Sequence, residues 1–186
     1  MDLQPDLPRY MRSLVRGNIA GLIELYEAIN PRGKVGVEVG CHWGESSEVA
    51  ANLLGTVYCV DPWDVGFGAD AEEIFDARMK IFANHVKIKG TSVDAARGFD
   101  SESLDVVYID AMHDCENVTQ DIRSWFPKVK IGTGYICGHD YDDLETHAGV
   151  VQAVDKVLGV PEKRFSDSSW LFLKTPALVA KVSARQ

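Results

Sequence analysis

The feature that most limits what this chain can fold into is a repeated alternation of short β-branched runs with longer segments of helical spacing. Val35 to Val39 precedes Glu45 to Leu54, Val57 to Val60 precedes Asp70 to Ala83, and Val86 to Lys89 precedes Ser92 to Gly98. Short strands with few polar positions are covered on both faces, and a helix between consecutive strands carries the chain back so that they run parallel. The rhythm is βαβαβα, which specifies an α/β sheet.

The second half continues the pattern. A strand at Leu104 to Ile109 is followed by a helix from Glu116 to Trp125, a strand from Tyr135 to Gly138 after the turn Gly132-Thr133-Gly134, and a helix near 146 to 158. Two short strands, 163 to 165 and 170 to 174, flank the polar turn Ser166-Asp167-Ser168, which favours an antiparallel hairpin. Upstream, Leu14, Ile19, Leu22, Ile23, Leu25 and Ile29 predict a leading helix stopped by Asn30-Pro31-Arg32-Gly33. The expected architecture is a single α/β domain: a doubly wound, mostly parallel Rossmann-like sheet with a C-terminal antiparallel hairpin. Residues 1–32 are expected as an N-terminal helical extension, 33–176 as the binding domain and 177–186 as a C-terminal tail.

Charge and composition narrow the partners. A formal net charge of -9 disfavours a nucleic-acid backbone, and no basic stripe is present. No stretch approaches the roughly 18 apolar residues of a membrane span, and MDLQPDLPRYMR lacks the apolar core of a signal peptide, so no membrane partner and a cytoplasmic location are expected. Cys41, Cys59, Cys115 and Cys137 are scattered without C-x-x-C spacing, which argues against disulfides and structural zinc; Cys59 and Cys137 fall in strands as small buried groups.

In doubly wound sheets ligands bind beyond the carboxyl ends of the strands, so the residues just past each strand carry the chemistry. After the first strand, "VEVGCHWGESSEVA" places Glu38, Gly40 and Gly44 ahead of a helix N-terminus. The glycines are expected to let the main chain approach a ligand, and Glu38 to face positive charge or donors in the crevice. "GCHWGESS" departs from the G-x-G-x-x-G of dinucleotide sites, which weakens an NAD-dependent oxidoreductase. Asp61, closing the second strand about twenty residues on, stands where ribose-binding carboxylates stand. Asp110, His113, His139 and Asp140 follow the fourth and fifth strands and can converge. Two carboxylates suit Mg²⁺, whereas a nitrogen ligand from His139 favours Mn²⁺, Fe²⁺ or Zn²⁺.

"EVGCHWG", the acid of "VDPW" and "GTS" at 90 to 92 resemble class I S-adenosylmethionine-dependent methyltransferases over roughly residues 33 to 174. The resemblance implies S-adenosylmethionine as cofactor, with Glu38 and Gly40 against its methionine part, Gly44 in the same cofactor-binding loop, Asp61 on the ribose, and Trp63 and Ser92 flanking the adenine. "YIDAMHDCENVTQDI" with "GYICGHDYDD" is similar to the macrocin-type O-methyltransferase branch, although Ala111, Cys115 and His139 depart from its usual residues. That likeness implies Asp110 and His113 as catalytic residues, with His113 the general base, and Asp110 and Asp140 as ligands of a divalent cation such as Mg²⁺; His139, a departure from the branch, is a third candidate ligand by its own chemistry and would favour Mn²⁺. The acceptor would be a small molecule, with a homo-oligomer supplying part of its pocket. A non-catalytic cofactor-binding module and an HD-type phosphohydrolase are the competing readings, the latter weakened because "GYICGHD" reads as a strand end. His42, His85 and His147 receive no role.

Overall fold

The computed structural model describes residues 19–64, 70–141 and 147–185. The leading helix appears as α1 (Ala20–Ala28), while the part expected before residue 19 lies outside the described residues. Then follow β1 (Val35–Val39), α2 (Glu45–Leu53), β2 (Thr56–Asp61), α3 (Ala71–Met79), β3 (His85–Lys89), α4 (Ser92–Ala96) and β4 (Val106–Ile109). The second half holds α5 (Cys115–Trp125), a 3₁₀ turn at Phe126–Lys128, β5 (Tyr135–Gly138), α6 (Ala148–Val157), β6 (Lys163–Arg164), β7 (Trp170–Leu173) and α7 (Pro176–Ser183).

Seven strands form one sheet in the order β3-β2-β1-β4-β5-β7-β6. The first five are parallel and β7 runs antiparallel to both β5 and β6, as the hairpin expectation requires. One apolar layer packs α1, α2 and α3 against one face through Leu22, Tyr26, Val49 and Phe75. The other packs α5, α6 and α7 through Ile122, Val154 and Val182. Burial on both faces explains why the central strands β1 and β4 show almost no polar positions.

The final segment differs from the tail expected at 177–186. Thr175 accepts a hydrogen bond from the Leu178 N–H and Pro176 occupies the first turn, a combination that starts a helix; α7 then buries Leu178 and Val182. The leading helix is tied down as well, because the buried Asp167 carboxylate in the β6–β7 turn accepts from the Leu22 N–H at 2.8 Å.

Candidate functional site

The strand order reverses between β1 and β4, and the loops beyond their carboxyl ends diverge there. A cavity of about 820 Å³ opens at this point, walled by Gly40, Asp61, Ser92, Asp110 and His113 among the expected site residues. That volume accommodates a nucleoside-sized ligand.

The β2 end is the most fully determined corner. Asp61 accepts the His42 N–H at 2.9 Å on one carboxylate oxygen and the Trp63 N–H at 2.7 Å on the other. Both residues are in the left-handed region, at φ 44° and 43°, where side chains are disfavoured. The Asp61 carboxylate thus holds two strained loops together while staying on the cavity wall.

Trp63 is placed differently from the adenine-flanking position expected for it. Its ring is buried against Phe75 at 4.7 Å between centroids, and its indole N–H donates to the His42 carbonyl. It is not on the cavity wall. The aromatic surface there comes from Trp43, stacked on His42 at 4.4 Å and largely exposed.

The glycine loop is tightly packed. A Cβ at Gly40, whose φ is 90°, would stand 2.1 Å from the Asp110 carbonyl oxygen, and one at Gly44, with φ 79°, would stand 2.9 Å from the Phe75 ring. Contacts within the protein already require both glycines; Gly40 also borders the cavity and Gly44 does not. Glu38, expected in the crevice, lies instead beneath the loop, buried, accepting a hydrogen bond from the Ser47 hydroxyl. Burial pushes its carboxyl up to about 7 despite hydrogen bonds from Ser46 and Ser47, and its Oε1 has no hydrogen-bond partner among the described residues.

Beyond β4 and β5 the expected convergence occurs. Asp110, His139 and Asp140 each bring a ligand atom within 4.8 Å of the others, and His113, Asp140 and His147 do the same. His113 Nε2 lies 3.1 Å from Asp140 and 3.7 Å from Asp110, while His139 Nδ1 and His147 Nδ1 lie 2.9 and 3.3 Å from the same Asp140 oxygen. Asp140 itself takes a positive φ of 63° at the end of β5. The Asp110 and Asp140 carboxylates raise the His113 pKa to about 10, so without a cation it is an imidazolium at neutrality. Burial opposes the charge on His139, yet the Asp140 hydrogen bond and the fields of Asp110, Asp140 and Asp167 push it up to about 9. Burial likewise opposes the Asp140 anion, but its His113 and His139 partners hold the carboxyl well below the usual range.

His147 had no sequence signal of its own; only the packing of α6 against α5 brings it to 4.2 Å from the His113 ring. His85 bonds to the Phe82 carbonyl, away from the cavity. Asp142 and Asp143, which follow Asp140, lie outside the described residues. Asp121 is a second residue not anticipated. It occupies the buried stripe of α5 with Val118, Ile122 and Trp125, and reaches the cavity wall. An acid on an otherwise apolar helical face is a signal the sequence did contain.

Comparison with known proteins bears on the family and the fold. A family model described as a methyltransferase domain matches residues 37–141. The uncharacterized protein y4gI of Sinorhizobium fredii is 30% identical over 140 residues, covering 69% of this chain, and the chain spans 15% of that relative's length. Among solved structures, an O-methyltransferase from Bacillus cereus in complex with S-adenosylhomocysteine superposes with a TM-score of 0.59 at 15% identity, covering 87% of this chain and 83% of that one. A SAM-dependent O-methyltransferase from Thermotoga maritima gives 0.55 at 14%, covering 87% and 53%. A precorrin 8w decarboxylase from Methanobacterium thermoautotrophicum gives 0.57 at 15%, covering 82% and 84%. These neighbours share the fold, and their differing named activities show that the fold does not fix the reaction. The family match spans more than half of the chain, and the protein belongs to the methyltransferase-domain family.

Proposed function

We propose that this chain binds S-adenosylmethionine in the cavity beyond β1, β2 and β4 and transfers its methyl group to an oxygen of a small hydroxylated or aromatic acceptor. The observation that carries the reading is the Asp61 carboxylate, fixed at the β2 end by two backbone N–H groups and bordering the cavity. A carboxylate oxygen has two lone pairs, so each can still accept a ribose hydroxyl beside its existing bond. The likeness of "YIDAMHDCENVTQDI" and "GYICGHDYDD" to the macrocin-type O-methyltransferase branch supports the choice of oxygen.

Asp110, His139 and Asp140 offer a mixed oxygen and nitrogen set that fits Mn²⁺ better than the all-oxygen set preferred by Mg²⁺. A cation held there would lower the pKa of an acceptor hydroxyl and engage the carboxylates that now keep the proton on His113. His113, on the cavity wall, is placed to take the hydroxyl proton as the methyl group moves. The walls contributed by Gly40 and Asp61 orient the cofactor, and alignment of oxygen, methyl carbon and sulfur supplies much of the acceleration.

The test is release of S-adenosylhomocysteine during incubation with S-adenosylmethionine, a panel of catechols and polyhydroxylated compounds, and Mn²⁺ or a chelator. Turnover is expected with at least one acceptor, and Asp110→Asn and His113→Ala should abolish it while leaving cofactor affinity within about threefold. A variant that keeps the parental rate removes that residue from the mechanism.

A further inference from the structure

The first turn of α6 is pressed onto the loop that follows β4. A Cβ at Gly149 would stand 2.4 Å from the His113 carbonyl oxygen and 2.6 Å from the Cys115 nitrogen, so only a residue without a side chain lets the helix come this close. His147, at the N-cap of that helix, is thereby carried to His113, with 4.2 Å between the ring centroids.

His113, Asp140 and His147 then each bring a ligand atom within 4.8 Å of the others. His113 Nε2 lies 3.1 Å from one Asp140 oxygen, and His147 Nδ1 lies 3.3 Å from the other. Zinc bonds of about 2.0–2.2 Å at tetrahedral angles separate neighbouring ligand atoms by roughly 3.3 Å, so both contacts already have the length of an edge of such a centre. His113 Nε2 is buried and makes no hydrogen bond among the described residues, and it forfeits none by turning to a cation. Two imidazoles and one carboxylate are a donor set of three-ligand zinc centres, which keep a fourth position for a small molecule. The set at Asp110, His139 and Asp140 has the reverse balance, two carboxylates and one imidazole, and suits a harder cation. The His113 and His147 side chains are 38% and 26% exposed, which leaves a path from solvent.

We propose that His113, Asp140 and His147 form a second cation site, selective for Zn²⁺, whose occupation switches off the base function of His113. Zinc bound there takes the Nε2 lone pair that would receive the acceptor proton, and it engages Asp140, which the Mn²⁺ set also needs. At a given nitrogen and oxygen site Zn²⁺ binds more tightly than Mn²⁺, so a small zinc concentration acts against a larger one of manganese. The site stands on its own geometry, whereas the inhibition rests on the proposed methyl-transfer reading.

Calorimetric titration of the full chain with Zn²⁺ and with Mn²⁺ tests the site through crossed variants. His147→Ala should weaken Zn²⁺ binding at least tenfold and leave Mn²⁺ within about threefold, and His139→Ala should do the opposite. Co²⁺ in place of Zn²⁺ should give the unaltered protein the intense visible absorption of a four-coordinate ion, lost in His147→Ala. Only the weak absorption of six-coordinate Co²⁺ in the unaltered protein overturns the proposal without any variant having to fold. It is overturned as well by an unchanged Zn²⁺ affinity in His147→Ala with a native circular dichroism spectrum, or by an equal loss of Zn²⁺ affinity in His139→Ala. In Mn²⁺-dependent turnover, Zn²⁺ should inhibit the unaltered protein at concentrations at least tenfold below those that inhibit His147→Ala; bound Zn²⁺ that leaves turnover unchanged overturns the switch. Absence of turnover in the zinc-free, Mn²⁺-loaded protein, with the crossed affinities intact, overturns the methyl-transfer reading and the switch but not the site.

Discussion

His113 Nε2 lies 3.1 Å from the Asp140 carboxylate, although one residue follows β4 and the other follows β5. The pairing of β4 with β5 makes this meeting possible, and Asp140 pays for it with a left-handed backbone. Asp140 is also the member common to both clusters of potential cation ligands beyond β4 and β5.

Loss of that shared ligand should therefore weaken cation binding more than loss of a ligand belonging to one set. Asp140→Asn is expected to reduce Mn²⁺ affinity by about a hundredfold, and Asp110→Asn or His139→Ala by about tenfold. Electron paramagnetic resonance of free Mn²⁺ during titration measures the difference; equal effects of all three would place the cation elsewhere.

Glu38 yields a pH prediction whose sign follows from its burial. Its folded-state pKa is raised from 4.5 to about 7, so the native protein retains a proton that the unfolded chain loses. Stability contributed by the neutral acid is present below 4.5 and declines as pH rises toward 7, after which the penalty is constant. Glu38→Gln removes the ionisation while keeping an acceptor for Ser47. Denaturant unfolding at pH 4.5 and 8 should show the variant gaining on the order of 3 kcal/mol relative to the parent across that interval. Parallel pH profiles would mean that Glu38 stays ionised in the fold.

Gly40 provides a direct test of loop packing. Gly40→Ala must place a Cβ against the Asp110 main chain at a φ of 90°, with no flexible side-chain end able to yield. Destabilisation of about 2–4 kcal/mol is expected, read as a lower urea midpoint with an unchanged slope. A cost near zero would show that the β1 and β4 loops separate freely.

The sheet was legible because each strand is short and apolar and each helix is bounded by turn residues; β5 at Tyr135–Gly138 begins just after Gly132-Thr133-Gly134, for instance. The convergence of Asp110, His113, His139 and Asp140 was legible for a related reason, since parallel topology alone brings adjacent strand ends together. Side-chain direction was not. Glu38 pairs in register with Cys59 and Tyr108 on the face covered by α1 and α2, and a pattern of residues along one strand does not say which face is open. Trp63 turned inward because Phe75 of α3 offers a ring to pack on, a contact between elements that spacing cannot show. His147 depends in the same way on where α6 docks.

The last helix carries a stability prediction of the same kind. Leu178 is buried in the layer formed with α6, so Leu178→Ala should cost about 2–4 kcal/mol, as core leucine truncations do. Thermal unfolding with a two-state fit checks this, and a loss under about 0.5 kcal/mol would restore the segment to the status of a tail.

The most direct test of the account is calorimetric titration of the protein with S-adenosylmethionine, run beside NADH and beside Asp61→Ala. Saturable single-site binding of S-adenosylmethionine, no binding of NADH, and at least a tenfold loss of affinity in Asp61→Ala are predicted. No heat with S-adenosylmethionine, or parental affinity in Asp61→Ala, would contradict the claim that the β2 carboxylate holds an adenosyl cofactor.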